Sequence, residues 1–145
     1  MAITTSVICN SFKKELFEGT HNFKQTGGNS FKLSLYTNSA VLGKSTTSFT
    51  TDAQVSNSGQ YTSGGGALVN GGTSLSTNTA IVDFADRSFT GVTLTARGAL
   101  IYNDTATGDP ACAVIAFGAD KTVTSGTFTI QFPTADATNA IIRLA

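Results

Sequence analysis

The chain has 145 residues and no net charge, because nine lysines and arginines are matched by nine aspartates and glutamates. Charged residues make up only 12% of the sequence, about half the usual share. A nucleic-acid-binding protein needs a basic surface to displace counterions from phosphates, so we expect no nucleic-acid partner. The polarity comes instead from 24 threonines and 14 serines, which favour strands and turns. The length suits one domain over residues 1–145.

The N-terminal region predicts one helix and no membrane segment. The start, MAITTSVI, lacks the positive charge of a signal peptide, and no run of about 18 apolar residues follows, so we expect cytoplasmic synthesis and no membrane partner. Residues 5–19 predict an amphipathic helix, because Ile8, Phe12 and Leu16 recur at four-residue steps. Gly19 stands where a left-handed residue commonly follows a helix. The apolar stripe of this helix should lie on a sheet.

After the helix, apolar and polar residues alternate with the period of β-strands. Turn-forming residues at 86–88, 107–110, 120–121 and 125–126 separate the strands. The predicted strands are FKLSLY (31–36), TAIVDF (79–84), VTLTARGALIY (92–102), ACAVIAFG (111–118), GTFTIQFP (126–133) and AIIRLA (140–145). Strands without intervening helices indicate antiparallel meanders. We therefore predict a mainly β fold, an antiparallel β-sandwich or jelly-roll-like single domain over about residues 30–145.

The same alternation predicts which side chains form the core. In FKLSLY one face should be buried and the other, with Lys32, Ser34 and Tyr36, should face solvent. The apolar C-terminal segment AIIRLA should be paired in a sheet. The predicted core residues are Ile8, Phe12, Leu16, Phe31, Leu33, Val82, Phe84, Leu94, Leu100, Ile115, Phe117, Phe128, Ile130 and Phe132.

A long excursion, residues 37–75, interrupts the strands. Its first part, 37–60, is rich in hydroxyls and should cross the surface. Its second part, YTSGGGALVNGG (61–72), has five glycines in twelve positions, which is typical of bulges, tight bends or adaptable contact loops. Long irregular loops in compact domains are usually functional or disordered, and we favour a contact role. The candidate interface residues of this excursion are Phe49, Tyr61, Gly64, Gly65 and Gly66.

Few residues are available for catalysis. His21 is the only histidine, so any Ser-His or Cys-His pair must use it, but we interpret it as a surface or helix-end histidine. Cys9 and Cys112 lie far apart without a C-x-x-C motif, and we interpret them as buried free thiols. Ligands of a zinc site are usually clustered in sequence. We predict no catalytic residue, cofactor or metal, and no enzyme.

The carboxylates support the same interpretation. Asp83 and Asp86 would face opposite sides of a strand, and Asp86 begins a turn. The loop 103–110 carries oxygen ligands that calcium would need, but its Asn-Asp and Gly-Asp-Pro sequences are ordinary hairpin chemistry. The triple glycine at 64–66 lacks the Gly-Lys-Ser/Thr ending of a phosphate-binding loop.

Arg97 is the unusual residue, because it lies with Gly98 at the centre of the most apolar strand. We expect a bulge there, which would re-aim the arginine side chain. Three roles remain open: an internal ion pair, a contact between subunits, and ligand binding. Asp83, Asp86 and Asp120 are the conceivable carboxylate partners. Arg97 is therefore also a candidate interface residue.

Several segments resemble small virion proteins of tailed bacteriophages. They are MAITTSVICNSFKKELFEGTHNF at the start, FKLSLYTNSA, DFADRSFTGVTLTARGALIYN, FGADKTVTSGTFTIQFP and the ending PTADATNAIIRLA. The similarity spans nearly the whole chain and is loosest over 37–75. It implies a non-enzymatic structural component of the phage particle, assembled in the host cytoplasm. These motifs transfer no site residues, because none is tied to them.

Within a particle, we expect a head decoration (cement) protein on the capsid surface. Such a protein is small and stable, and it binds across junctions of the major capsid protein, which resists the outward pressure of packaged DNA. Its partners would be the major capsid protein and copies of itself, as trimers or dimers. One alternative is a tail adaptor or fibre-associated protein. Another is a carbohydrate-binding β-sandwich, although sugar platforms use exposed aromatic residues and tryptophan is absent.

Overall fold

The computed structural model describes residues 3–145, which form two antiparallel sheets and one short helix. The predicted fold class, a mainly β sandwich-like domain with one N-terminal helix, is confirmed. The elements in chain order are β1 (Val7–Ile8), α1 (Asn10–Phe17), β2 (Phe31–Tyr36), β3 (Gly66–Ala67), β4 (Asn70–Ser76), β5 (Thr79–Phe84), β6 (Arg87–Asn103), β7 (Ala111–Ile130) and β8 (Ile142–Leu144). The first sheet has the order β1-β7-β6-β2-β3, and the second has the order β4-β5-β8.

Strand β2 is buried on both faces, not on one as predicted. It pairs along its whole length with residues 98–103 of β6, and all its residues except Lys32 are buried. The buried polar side of β2 is satisfied by the excursion that follows it. The Tyr36 hydroxyl donates a hydrogen bond to the carbonyl of Thr50 at 2.7 Å, and the Leu35 amide donates to the Tyr61 hydroxyl at 2.8 Å. Side chains expected to face solvent therefore face the rest of the chain.

Residues 37–65 of the excursion cover this second face of the first sheet. Phe49 stacks on Tyr102 of β6 with ring centroids 4.7 Å apart, and Tyr61 meets Phe89 edge-on at 5.0 Å. These residues have few strand hydrogen bonds of their own, and isolated bridges such as Tyr36–Gln54 attach them to the sheet. The excursion is thus a layer of the core, which its hydroxyl-rich composition did not indicate.

The second part of the excursion contains strands, where the sequence predicted a loop. Residues 66–67 form β3, and β4 forms a hairpin with β5 through the two-residue turn Thr77–Asn78. The alternation was hidden because NGGTSLS has only one large apolar residue. Strand β8 pairs with β5, so the prediction that the C-terminal segment is paired in a sheet is confirmed.

Strands β6 and β7 form one long ribbon, so the turns predicted at 120–121 and 125–126 are wrong. Arg87 and Ser88, predicted as part of a turn, already belong to β6. The turn-like residues produce bulges instead, and Gly118 and Ser125 have positive φ of 81° and 48°. Phe117 and Phe128 would be roughly 36 Å apart in an extended strand, yet their rings lie 5.9 Å apart. The bulges therefore bend the ribbon sharply.

Helix α1 begins at Asn10 and not at residue 5. The β-branched residues before it favour an extended chain, and Val7 and Ile8 pair with Val114 and Ala113 of β7. The helix ends as predicted, because Gly19 has a positive φ of 73°. Phe12 is buried, whereas Ile8 and Leu16 pack at the core margin. The stripe was correctly identified, but its first residue belongs to a strand.

The core is one continuous cluster in which aromatic rings join the two sheets. Phe31 of β2 stacks on Phe23 at 4.3 Å, and Phe84 of β5 lies 5.8 Å from Phe31. Most predicted core residues are buried. The ones that are only partly buried are Ile8, Leu16, Ile115 and Phe117.

Gly65 is expected to be indispensable to the layer that covers β2. A Cβ on Gly65 would lie 2.0 Å from the Leu33 carbonyl oxygen, and its φ is +92°. The neighbouring Gly64 has a φ of +95° but no atom within 4 Å of such a Cβ. Gly64→Ala should cost about 1–2 kcal/mol of unfolding free energy for its backbone conformation alone. Gly65→Ala should cost clearly more, because the obstacle is main chain.

Urea unfolding of both variants measures this difference. Gly43→Ala is the control, since a Cβ there meets nothing within 4 Å and its φ is not positive. Equal stabilities for the Gly64 and Gly65 variants would contradict the packing of this loop on β2.

Candidate interaction surfaces

Arg97 forms an ion pair within its own chain. The expected bulge is opposite Arg97, in β7: residues 117–120 lie between the pairs Ala96–Lys121 and Gly98–Ala116. Arg97 keeps the alternation of β6 and lies on its more exposed face. Its Nη1 lies 3.2 Å from Oδ1 of Asp120, with the two side chains 28% and 39% exposed. Of the three conceivable partners, Asp86 instead accepts a hydrogen bond from the Phe132 amide. The structure thus contains the internal ion pair, at a site that is still partly accessible.

Gly98 allows close packing beside Arg97. A Cβ at this position would lie 2.5 Å from the Ile115 carbonyl oxygen and 2.8 Å from the Ile3 side chain. Main chain and core therefore approach Gly98 too closely for any side chain. The presence of Arg97 and Gly98 in an apolar strand is thus explained by two contacts: Gly98 packs closely on the core, and Arg97 pairs with Asp120.

Tyr61 and Gly66 are not at the surface, which corrects their assignment as contact residues. Tyr61 is completely buried, with its hydroxyl bonded to β2 and its ring against Phe89. Gly66 is buried beside the Arg87 guanidinium, and that group would collide with any Cβ. A side chain that contributes no accessible surface cannot contact a second protein without unfolding. The aromatic and glycine residues serve the chain's own packing.

The other candidates of the glycine loop remain partly accessible. Gly64 and Gly65 are half-buried, and Gly64 accepts a hydrogen bond from the Tyr102 hydroxyl through its carbonyl. Phe49 is half-buried against Tyr102. These three candidates therefore keep some accessible surface.

His21 is buried in a polar network, so its interpretation as a surface residue is wrong. Its Nε2 lies 3.1 Å from Oε2 of Glu15, and its Nδ1 lies 3.0 Å from Nδ2 of Asn103. An amide Nδ2 can only donate, so Nδ1 is the acceptor and Nε2–H donates to Glu15. The Cys112 sulfur lies 3.9 Å from the same Nδ1. The sequence separation of these residues hid the network.

The ionisation of this network does not favour nucleophilic chemistry. Burial lowers the pKa of His21 even though Glu15 opposes the shift. Burial also raises the pKa of Cys9 to about 11 and that of Cys112 further. A reactive cysteine needs a lowered pKa and solvent access. Both cysteines are free and buried, as predicted, and their thiols remain protonated at neutral pH.

The loop between β6 and β7 uses its oxygens internally. Oδ1 of Asn103 accepts from the amides of Thr105 and Ala106, and Asp104 pairs with Lys32 at 3.2 Å. Asp109 adopts a positive φ of 49° in the turn. Over residues 3–145, no three His, Cys, Asp or Glu side chains come together in a way that could hold a metal ion.

An exposed apolar surface, which the sequence did not predict, lies on the second sheet. Leu75 of β4 is 77% exposed and is the cross-strand neighbour of Ala80, which in turn neighbours Leu144 of β8. Directly opposite residues share a face of a sheet, so these three form a row. Phe17 at the end of α1 is 95% exposed. Isolated apolar residues at surfaces are ordinary, whereas a row beside a groove indicates a contact surface.

The groove beside this row lies between α1 and the second sheet, and we call it the apolar groove. Its volume is about 470 Å³. Its apolar lining is Phe12, Leu16, Phe23, Ala80, Ile81, Val82, Ile142 and Leu144. Val82 and Ile142 form its buried floor, and Leu144 stands exposed at its rim. The groove can receive an apolar side chain of another protein.

In the described part of the chain, the only helix is too short and too polar to cross a membrane. Comparison with known proteins found no matching family model, no similar curated protein and no similar solved structure.

The buried His21 should make stability depend on pH. Its pKa is lower in the folded chain than in the unfolded chain, so the unfolded state binds more protons and folding stability falls as pH decreases below about 6.5. His21→Gln should flatten the dependence between neutral pH and the range where carboxylates begin to titrate. Urea unfolding at a series of pH values measures this, and parallel curves for both proteins would contradict it.

The Arg97–Asp120 pair should stabilise the fold only slightly. Partly exposed ion pairs are screened by water, so a double-mutant cycle with Arg97→Met and Asp120→Asn should give a coupling energy of about 0.2–1 kcal/mol. The exposed pair Lys14–Glu18 serves as a reference. A much larger coupling would mean that the pair is buried more completely in solution, for example by a partner.

Proposed function

We propose that this protein is a non-enzymatic structural component of a tailed-bacteriophage virion and that it decorates the head as a cement protein. The observation that carries the proposal is the apolar row Leu75–Ala80–Leu144 beside the apolar groove. Exposing an apolar surface of this kind to water is unfavourable in free energy, and contact with another protein removes that exposure. The resemblance of nearly the whole sequence to small virion proteins supports the virion as the place of that contact.

The chemistry of the chain supports a structural role. His21 and both cysteines are buried, and the cysteines are free thiols. Arg97 and Lys32 are paired with carboxylates of their own chain. These groups make their contacts within the chain, so the apolar groove and its surroundings are the features that suit a binding role.

A cement protein acts by adding contact area across a junction between capsid subunits. Its own fold must be rigid, because a flexible layer would lose conformational entropy on every binding event. The two-sided packing of β2 and the bent β6–β7 ribbon provide that rigidity. In this proposal the apolar groove receives a side chain of the major capsid protein.

The tyrosines disfavour the carbohydrate-binding alternative. Sugar platforms present exposed aromatic faces, but Tyr36, Tyr61 and Tyr102 are all buried. Their hydroxyls bond to the chain itself. The buried tyrosines do not disfavour a tail component, because a tail component would also use an apolar contact surface. Copy number separates the head from the tail.

The first test is the number of copies per purified virion, measured by mass spectrometry against the major capsid protein. A cement protein should be present at a simple ratio to that protein, because it occupies the head lattice. About a dozen copies or fewer would place the chain in the tail. Absence from the particle would overturn the proposal.

The second test is binding of added protein to particles that lack it. Leu144→Glu places a charge at the rim of the apolar groove and should abolish co-sedimentation with the head. Thr127→Glu introduces the same charge at an exposed position of the first sheet and should bind normally. Equal binding by both variants would show that the apolar groove is not part of the contact with the head.

A further inference from the structure

The outer edge of β4 has free backbone hydrogen-bonding groups. The two-residue turn makes Ser76 and Thr79 a hydrogen-bonded pair, and such pairs alternate along an antiparallel ladder. Ser74 therefore bonds to β5, whereas the amides and carbonyls of Thr73 and Leu75 point away from it. Strand β4 is the terminal strand of its sheet, and among residues 3–145 no other element bonds to these groups. The result is a short open edge.

This edge differs from the other three sheet edges. Strands β1, β3 and β8 are only two, two and three residues long, and β8 carries Arg143. Short strands and charged residues are the usual protection of an edge against pairing. Strand β4 has seven residues, no charge and no proline. Its first half lies near Phe23 and Gln25, so the open part is Thr73–Ser76.

We propose that a second copy of this chain pairs with this edge, antiparallel and about a twofold axis. In this register, Ser74 lies opposite Ser74 of the second copy. Thr73 then lies opposite Leu75 of the second copy, and Leu75 lies opposite Thr73 of the second copy. All the free amides and carbonyls of both residues then find partners. The two three-stranded sheets become one continuous sheet.

The same register places the exposed Leu75 side chain in a contact. It would lie beside Thr73 of the second copy and within diagonal reach of the second copy's Leu75. Through these contacts the row Leu75–Ala80–Leu144 would be extended by the side chains of Thr73 and Leu75 of the second copy. The apolar side chain that is 77% exposed in one chain would thus be covered.

A second copy fits this edge better than an unrelated strand for two reasons. A strand that pairs with a second copy of itself about a twofold axis must present free amides and carbonyls that face each other in the paired register. The outward amides and carbonyls of Thr73 and Leu75 do this. The chain has no net charge, so two copies approach without repulsion. This inference does not depend on the proposed function, since a head or a tail protein could use the pairing.

The test is sedimentation velocity of the purified chain over a broad concentration range. The wild type should dimerise. Thr73→Pro removes an outward amide without removing a bond to β5 and should weaken dimerisation at least about tenfold. Leu75→Lys places a charge at the edge and should have a similar effect, whereas Thr127→Lys on the first sheet should leave the dimer intact. Circular dichroism confirms that each variant is folded.

Hydrogen exchange provides a second measurement on the unmodified chain. Amides of Thr73 and Leu75 should become protected as concentration rises, while those of Ser74 and Ser76, already bonded to β5, should not change. A wild type that stays monomeric would overturn the proposal. A dimer that keeps its affinity in the Thr73→Pro variant would also overturn it, because such a dimer would use another surface. Protection confined to other strands, as expected for a dimer formed at the apolar groove, would overturn it too.

Discussion

The two-sided burial of β2 against the second half of β6 is the constraint on which the rest of the structure depends. A strand buried on both faces must have every backbone and side-chain polar group paired, because an unpaired buried group costs about 1–3 kcal/mol. One face of β2 carries only apolar side chains and has no side-chain polar group to pair, and there Phe31 contacts Phe23 and Phe84. On the other face the chain uses tyrosine hydroxyls, through Tyr36 and Tyr61. The layer formed by residues 37–65 exists to supply that second face.

This packing also determines which residues remain for function. His21, the cysteines and the tyrosines are used inside the molecule, and Arg97 is paired with Asp120. The groups that usually perform chemistry thus support the fold. The surface retains an apolar row, an apolar groove and one open strand edge, all on or beside the second sheet. The proposed pairing at β4 would use Thr73, which also lines the groove, and would cover Leu75, so Leu144 at the opposite rim is the part of the row left for the proposed capsid contact.

Much of the fold could be predicted where a local rule was sufficient. Alternation located β2 and β5, and a glycine of positive φ ended the helix at the expected position. The sequence failed where two local rules competed. Residues 120–126 have turn chemistry but lie in a bulged strand, since the pairing partner β6 continues past them. Val7 and Ile8 have helical spacing but pair with β7, because β-branched residues favour extended structure.

By itself, the sequence determined the fold class, the positions of β2 and β5, the pairing of the C-terminal segment and the buried free thiols. Each of these depends on composition or on a short-range period, which can be recognised from residues close together in the sequence. Only the tertiary structure decided that Tyr61 is a core residue, that His21 meets Glu15 and Asn103, and that Arg97 pairs with Asp120. It alone brought Leu75, Ala80 and Leu144 into one row. The reason is physical: these contacts join residues that are distant in sequence, and their register follows from strand pairing and bulges that no local pattern specifies.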